Sequence, residues 1–151
     1  MPRIINSYHS CAFVNLYYDN MYIDTHAHVN FKDYKDDGDE VVKRALENGV
    51  WLINVGAESD TSRRATEYSE KYQKGVFAAV GLHPIHIYDQ EFSYEKYKAL
   101  ALKEKTVAIG EIGLDYYRIK DDDLEIKEKQ KQIFKKQIEL AVELNKPIII
   151  H

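Results

Sequence analysis

Asp24-Thr25-His26-Ala27-His28 closes a short β-branched run. In an extended strand alternate side chains share a face, so His26 and His28 are expected on one side, about 7 Å apart. Two imidazoles so placed can share one metal ion. An isolated H-x-H pair fits a polar surface stripe equally well, and the remaining histidines shift the balance. His83, in Gly81-Leu82-His83-Pro84, and His151 each fall at or just past the end of another β-branched run. The segment Ala108-Ile109-Gly110-Glu111-Ile112-Gly113-Leu114-Asp115 adds two carboxylates, with glycines that allow close backbone approach. Glu111 stands among apolar strand residues. Buried there it is costly or protonated unless a cation compensates it, and the interior strand positions supply no lysine or arginine. Imidazole and carboxylate ligands without thiolate suit Zn²⁺, Mn²⁺, Co²⁺, Fe²⁺ or, with more carboxylate and water, Mg²⁺.

These residues need a scaffold that brings several strand ends together. From Met21 onward, short β-branched runs alternate with stretches of helical period, the pattern of βα units around a parallel sheet. Five strands are predicted: Tyr22–His28, Trp51–Gly56, Val76–Gly81, Val107–Ile112 and Ile148–His151. Ile148-Ile149-Ile150 reads as a strand buried on both faces. Four helices are predicted between them. The first runs from about Asp39 to Asn48 with Val42, Ala45 and Leu46 on one face and Asn48-Gly49 as its stop signal. The second starts after Ser59 or Asp60 and ends before Gly75, and the third starts behind Ser93 as N-cap. The fourth runs from about Asp123 to Leu144, with Ile126, Gln130, Ile133, Phe134, Ile138 and Ala141 at helical spacing.

A complete (β/α)8 barrel takes roughly 250 residues, so five strands in 151 residues leave it short of closure. An open doubly wound sheet needs no completion, but Tyr22–His28 leads into His-Val-Asn-Phe rather than a glycine-rich phosphate turn.

Composition narrows the chemistry. With 44% hydrophobic and 30% charged residues, the chain is an ordinary globular domain rather than a disordered one. Its formal charge of −4 offers no broad basic surface for nucleic acid. The single cysteine, Cys11, excludes an intramolecular disulfide and a thiolate zinc site, as expected of a cytoplasmic protein. The longest apolar run is too short to cross a membrane. Residues 1–20 show neither the greasy core nor the cleavage site of a secretory signal and read as an N-terminal extension ahead of a natural start at Met21. The acidic stretch from Asp33 to Glu40 lacks calcium-loop spacing and reads as a solvated entry to a helix. Tyr116-Tyr117-Arg118 fits either nucleotide contact or packing on the rim, and His86 has no strand position to place it.

Together, Asp24 to His28, Gly81-Leu82-His83-Pro84, Ala108 to Tyr116, and Gln137 through Lys146-Pro147-Ile148-Ile149-Ile150-His151 resemble the TatD family of metal-dependent deoxyribonucleases. Those proteins are amidohydrolase-like TIM barrels, and the likeness covers about Met21 to His151. It implies an α/β fold of the (β/α)8 TIM-barrel type truncated after the fifth strand, 21–151 being a partial hydrolase barrel. It also implies two divalent metal ions (Mg²⁺, Mn²⁺ or Zn²⁺), with His26 and His28 on the first, Glu111 as the catalytic bridge to the second, and His151 on the second. His83 matches a position that meets the substrate phosphate or supports a ligand, and Asp115 one that orients a histidine or caps its loop. The family pattern continues with a histidine after the sixth strand and an aspartate, metal ligand and proton acceptor, after the eighth; the chain is therefore expected to be an N-terminal fragment.

The implied activity is phosphodiester hydrolysis in DNA, single-stranded or at ends, with the metal charge replacing the missing basic surface. The alternatives are ester hydrolysis on aminoacyl-tRNA, or an inactive partial barrel whose open edges form a homo-oligomer or binding module.

Overall fold

A computed structural model describes residues 21–117, 119, 120 and 122–151. The extension read at 1–20 and Arg118 of the Tyr-Tyr-Arg segment lie outside the described residues. Five strands form one sheet: β1 (Tyr22–Ala27), β2 (Val50–Val55), β3 (Val76–Val80), β4 (Thr106–Ile112) and β5 (Ile148–Ile150). Four helices connect them: α1 (Gly38–Glu47), α2 (Ser59–Lys71), α3 (Tyr94–Ala101) and α4 (Leu124–Glu143). Every pairing is parallel and joins strands consecutive in the chain. A doubly wound sheet reverses its order at a switch point; an uninterrupted order β1-β2-β3-β4-β5 with intervening helices is that of a TIM barrel. The fold is five strands of such a barrel, open between β1 and β5.

Local chemistry sets the element ends. Gly49 and Gly75 take positive φ values of 72° and 80° at the turns into β2 and β3, conformations without side-chain clash only for glycine. Asp123 caps α4 by accepting from the Ile126 N–H at 3.2 Å, and Asn145, at φ 50°, turns the chain out of it. Ser93 occupies the N-cap of α3 without a side-chain bond. Glu58 and Thr61 close a capping box on α2.

The core lies between sheet and helices. Val42 packs with Leu52 and Val76 beneath α1, while Val80, Ile109, Ile112, Ile133 and Leu140 form the larger cluster under α3 and α4. Ile138, placed on the apolar stripe of α4 by spacing, is not in this cluster, and the buried glutamines Gln130 and Gln137 are found on that face. On the concave side Val55, Ala79 and Ala108 make a smaller cluster. The edges are exposed at Tyr22, Ile23 and Ile150.

β4 departs from simple alternation. Ile109 and Ile112, three positions apart, both pack into the helix-facing cluster, and the register against β5 shifts between them. Strict alternation would put Glu111 on the same side as Ile109; the shift frees it to meet the strand-end histidines. Gly110 makes this possible, since a Cβ there would stand 2.6 Å from Cβ of Ile149.

Candidate metal centre

Glu111 is the hub of the strand ends. Its Oε2 lies 3.2 Å from His26 Nε2 and its Oε1 2.8 Å from His151 Nδ1, while His83 Nε2 stands 3.8 Å from Oε1. β1, β4, β5 and the turn after β3 thus meet on one carboxylate. Burial acts to raise the Glu111 pKa, but the bond from His151 and the positive potential of His83, His26 and His151 outweigh it, so the carboxyl titrates below its ordinary value. At neutral pH it is an anion.

His28 lies one residue beyond β1, and its ring centroid is 4.9 Å from that of His26. β1 also shifts register against β2 between Asp24 and Ala27, next to this pair. His28 Nδ1 is 3.0 Å from the Val55 carbonyl oxygen. A carbonyl only accepts, so Nδ1 carries the proton and the Nε2 lone pair is left for a cation. The backbone of the same loop is fixed by Asn54, which accepts from Val29 N–H at 3.1 Å, and by Asn30, which donates to the Val55 and Thr61 carbonyls.

His83 is buried at the N-cap of the short 3-10 segment Pro84–Tyr88, and its Nδ1 accepts from the Ile85 N–H at 3.2 Å. In the neutral ring Nε2 must then hold the proton and faces the centre as a donor. Burial, aided by the charge of His151 and opposed by Glu111, pushes the His83 pKa down to about 4. His83 and His151 are in edge contact, with ring centroids 4.1 Å apart.

Asp115 caps its loop and also stands near a histidine of the centre. One oxygen accepts from Tyr117 N–H at 3.0 Å and so caps the loop; the other lies 3.7 Å from His151 Nε2. Tyr117 points to solvent at 94% exposure, so packing on the rim is not its role, whereas Tyr116 is half-exposed beneath Lys127. His86 stands beside His83, ring centroids 6.4 Å apart, outside the Glu111 cluster.

Two side chains essential to this geometry were named in the sequence only for their helical spacing or family likeness, with no role at the site. Gln137 on α4 accepts from Leu82 N–H at 2.7 Å and donates to the Leu82 carbonyl at 3.0 Å, gripping the residue before His83. Gln130, two turns earlier, accepts from Asp115 N–H and donates to its carbonyl, both at 2.8 Å, and reaches Pro84 O at 3.3 Å. Their signal was available: glutamine at apolar-stripe positions of a helix.

The donor set fits metal. His26, His28 and Glu111 form one group and His83, Glu111 and His151 another, each with ligand atoms within 4.8 Å of one another. Glu111 belongs to both, it is ionised, and His28 presents a free lone pair. The donors contain no thiolate and suit a divalent ion.

The sequence profile described as TatD related DNase matches residues 23–151. The chain belongs to this family. Among its TatD-family relatives, the uncharacterized metal-dependent hydrolase YabD of Bacillus subtilis (strain 168) is 44% identical over 133 residues, covering 87% of this chain and 50% of YabD. The 3'-5' ssDNA/RNA exonuclease TatD of Pantoea ananatis (strain LMG 20103) is 34% identical over 122 residues, covering 78% of this chain and 45% of that protein. The crystal structure of YJJV, a TatD homolog from Escherichia coli K12, superposes with a TM-score of 0.72 at 33% identity, covering 86% of this chain and 50% of that one. The chain spans about half the length of the curated relatives it matches. Its five parallel strands correspond to half of that TatD homolog. Among the described residues no helix is long and apolar enough to cross a membrane.

Proposed function

We propose that this protein hydrolyses phosphodiester bonds in DNA, on single strands or at ends, using two divalent ions, Mg²⁺, Mn²⁺ or Zn²⁺, held partly by residues of this chain. The observation that carries the reading is the single Glu111 carboxylate common to two histidine groups. His26 and His28 with Glu111 would hold the first ion, and Glu111 with His151 the second. Divalent ions held there would supply a water of lowered pKa and charge to offset the phosphoryl oxygens.

The chain's own residues supply orientation and one hydrogen bond. Val55 O fixes the His28 tautomer, and Asp115 orients His151 from the side away from Glu111. His83, neutral and with its proton on Nε2, donates to a non-bridging phosphoryl oxygen, where negative charge grows as water attacks phosphorus and the bond to the leaving oxygen breaks. The net charge of −4 is consistent with this scheme, because the ions, not a basic surface, attract phosphate. A relative named as a ssDNA/RNA exonuclease supports single-stranded ends as substrate.

We also read 21–151 as the unit that carries the centre, 1–20 as an extension of it, the location as cytoplasmic from the cysteine usage, and the exposed edges as a surface for self-association. N-terminal sequencing and light scattering of the native protein check the first and last of these.

The decisive experiment measures manganese-dependent cleavage of a single-stranded oligodeoxynucleotide, with bound metal counted in parallel. His26→Ala and Glu111→Ala are expected to abolish cleavage, and Glu111→Ala to lose both ions. Full metal-dependent cleavage by either variant refutes the assignment. Hydrolysis of aminoacyl esters with no cleavage of DNA would move the substrate to the aminoacyl-tRNA alternative.

A further inference from the structure

A groove of about 220 Å³ lies between the loop after β1 and α2. Phe31, Lys32, Arg64 and His86 are among its walls. It shares a boundary with the metal centre at two places: the Phe31 ring is 4.4 Å from the His28 ring, and His86 adjoins His83.

Its charges are unbalanced in a specific way. Arg64 is fixed by its Nε, which donates to the Asn30 carbonyl at 2.6 Å, yet it pairs with no carboxylate among the described residues and its Nη2 is buried without an acceptor. The Lys32 ammonium likewise has no partner among the described residues. Of the acids in the same walls, Glu58 is engaged by the capping box and by Gln90, which leaves exposed Asp33 against two unmatched cations. Neighbouring Arg63, by contrast, is paired with Glu67 at 2.6 Å. A buried donor without an acceptor is costly, and a guanidinium is the side chain best suited to an oxyanion. An aromatic ring beside two such cations matches a nucleotide, which offers a π-face and a phosphate in one unit.

We propose that this groove binds the nucleotide next to the scissile phosphate of a single strand, with Phe31 stacking on its base and Lys32 and Arg64 holding its phosphate. The proposal rests on the nuclease reading above and extends it from the reacting phosphate to the neighbouring unit.

The test is fluorescence anisotropy of a labelled phosphorothioate tetrathymidylate, which resists cleavage, titrated with the purified protein in manganese at several salt concentrations. Lys32→Ala and Arg64→Lys are each expected to weaken binding about tenfold, the loss of one charge-assisted contact. Lys32→Ala should also reduce the slope of log affinity against log salt by about 0.7, the value for one phosphate contact on a single strand. Lys135→Ala, on the outer face of α4, serves as the control for general charge and should bind as the parent does. Lys32 is exposed on a surface turn, so its variant tests the groove even if Arg64→Lys fails to fold. Unchanged affinity and salt slope in Lys32→Ala, with the parent binding well, overturns the groove and leaves the nuclease reading intact. A parent that binds no oligonucleotide overturns the nuclease reading, and this proposal with it.

Discussion

At the scale of single residues, the centre depends on proton positions as much as on ligand identity. His83 is the clearest case, because its Nδ1 is committed to Ile85 and burial keeps the ring neutral. If it donates to substrate rather than binding metal, His83→Ala should lower kcat by about tenfold to a hundredfold, the effect of removing one hydrogen-bond donor, while the bound-metal count stays at the parent value. A lost metal ion would reassign it as a ligand of the second group. Proton NMR should find no titration of His83 between about pH 5 and 8. The sign for stability follows from the same shift: the unfolded chain takes up this proton near pH 6.5 and the folded chain only near 4, so acidification across that window favours unfolding. Several of these residues were legible as types at strand ends: His26, His28, Glu111 and His151. The tautomers were not, since they are set by carbonyls and amides such as Val55 O and Ile85 N that no side-chain pattern reveals.

At the scale of elements, α4 does more than cover the sheet. Its two buried glutamines clamp the turns after β3 and β4, so the helix sets where His83 and Asp115 stand. Gln137→Leu keeps the bulk but strands the N–H and carbonyl of Leu82, and should cost about 2 kcal/mol or more in urea unfolding. It should also lower activity without changing metal content, because His83 loses its anchor. An unchanged unfolding midpoint would show that the clamp contributes nothing. The elements themselves were legible: α4 begins next to Asp123, where its periodicity starts, and Gly49 takes the left-handed turn expected after α1. The register shift in β4 was hidden, since periodicity within one strand carries no information about its partner. That shift, and not strand alternation, is what turns Glu111 toward the histidines.

For the whole molecule, the two ligand groups draw on β1, β4, β5 and the turn after β3, and so tie the open ends of the sheet to its middle. A metal ion bound by these groups would therefore also be structural. At a hundredfold excess over Kd, one bound ion adds about 2.7 kcal/mol to stability, which for a chain of this size raises Tm by about 5–10 °C. Chelation should remove that increment, His26→Ala should retain part of it, and Glu111→Ala should show none. A melting curve indifferent to manganese would mean the ligand groups do not bind it in the folded chain. The barrel class was legible from the alternation of βα units, whereas the closeness of four strand-end side chains depends on sheet curvature, which one chain's sequence does not display.

The strictly consecutive strand order has a consequence for how the protein is made. Each strand from β2 on pairs with the one synthesised just before it, and each helix packs next to a strand it joins. As the chain leaves the ribosome, every new unit finds its template already present and waits for no later segment to set its register. The two candidate ligand groups follow the same direction: His26 and His28 precede Glu111, which completes the first group, and His151 follows in the second. The first group is therefore assembled once β4 has emerged, before the second has all its members.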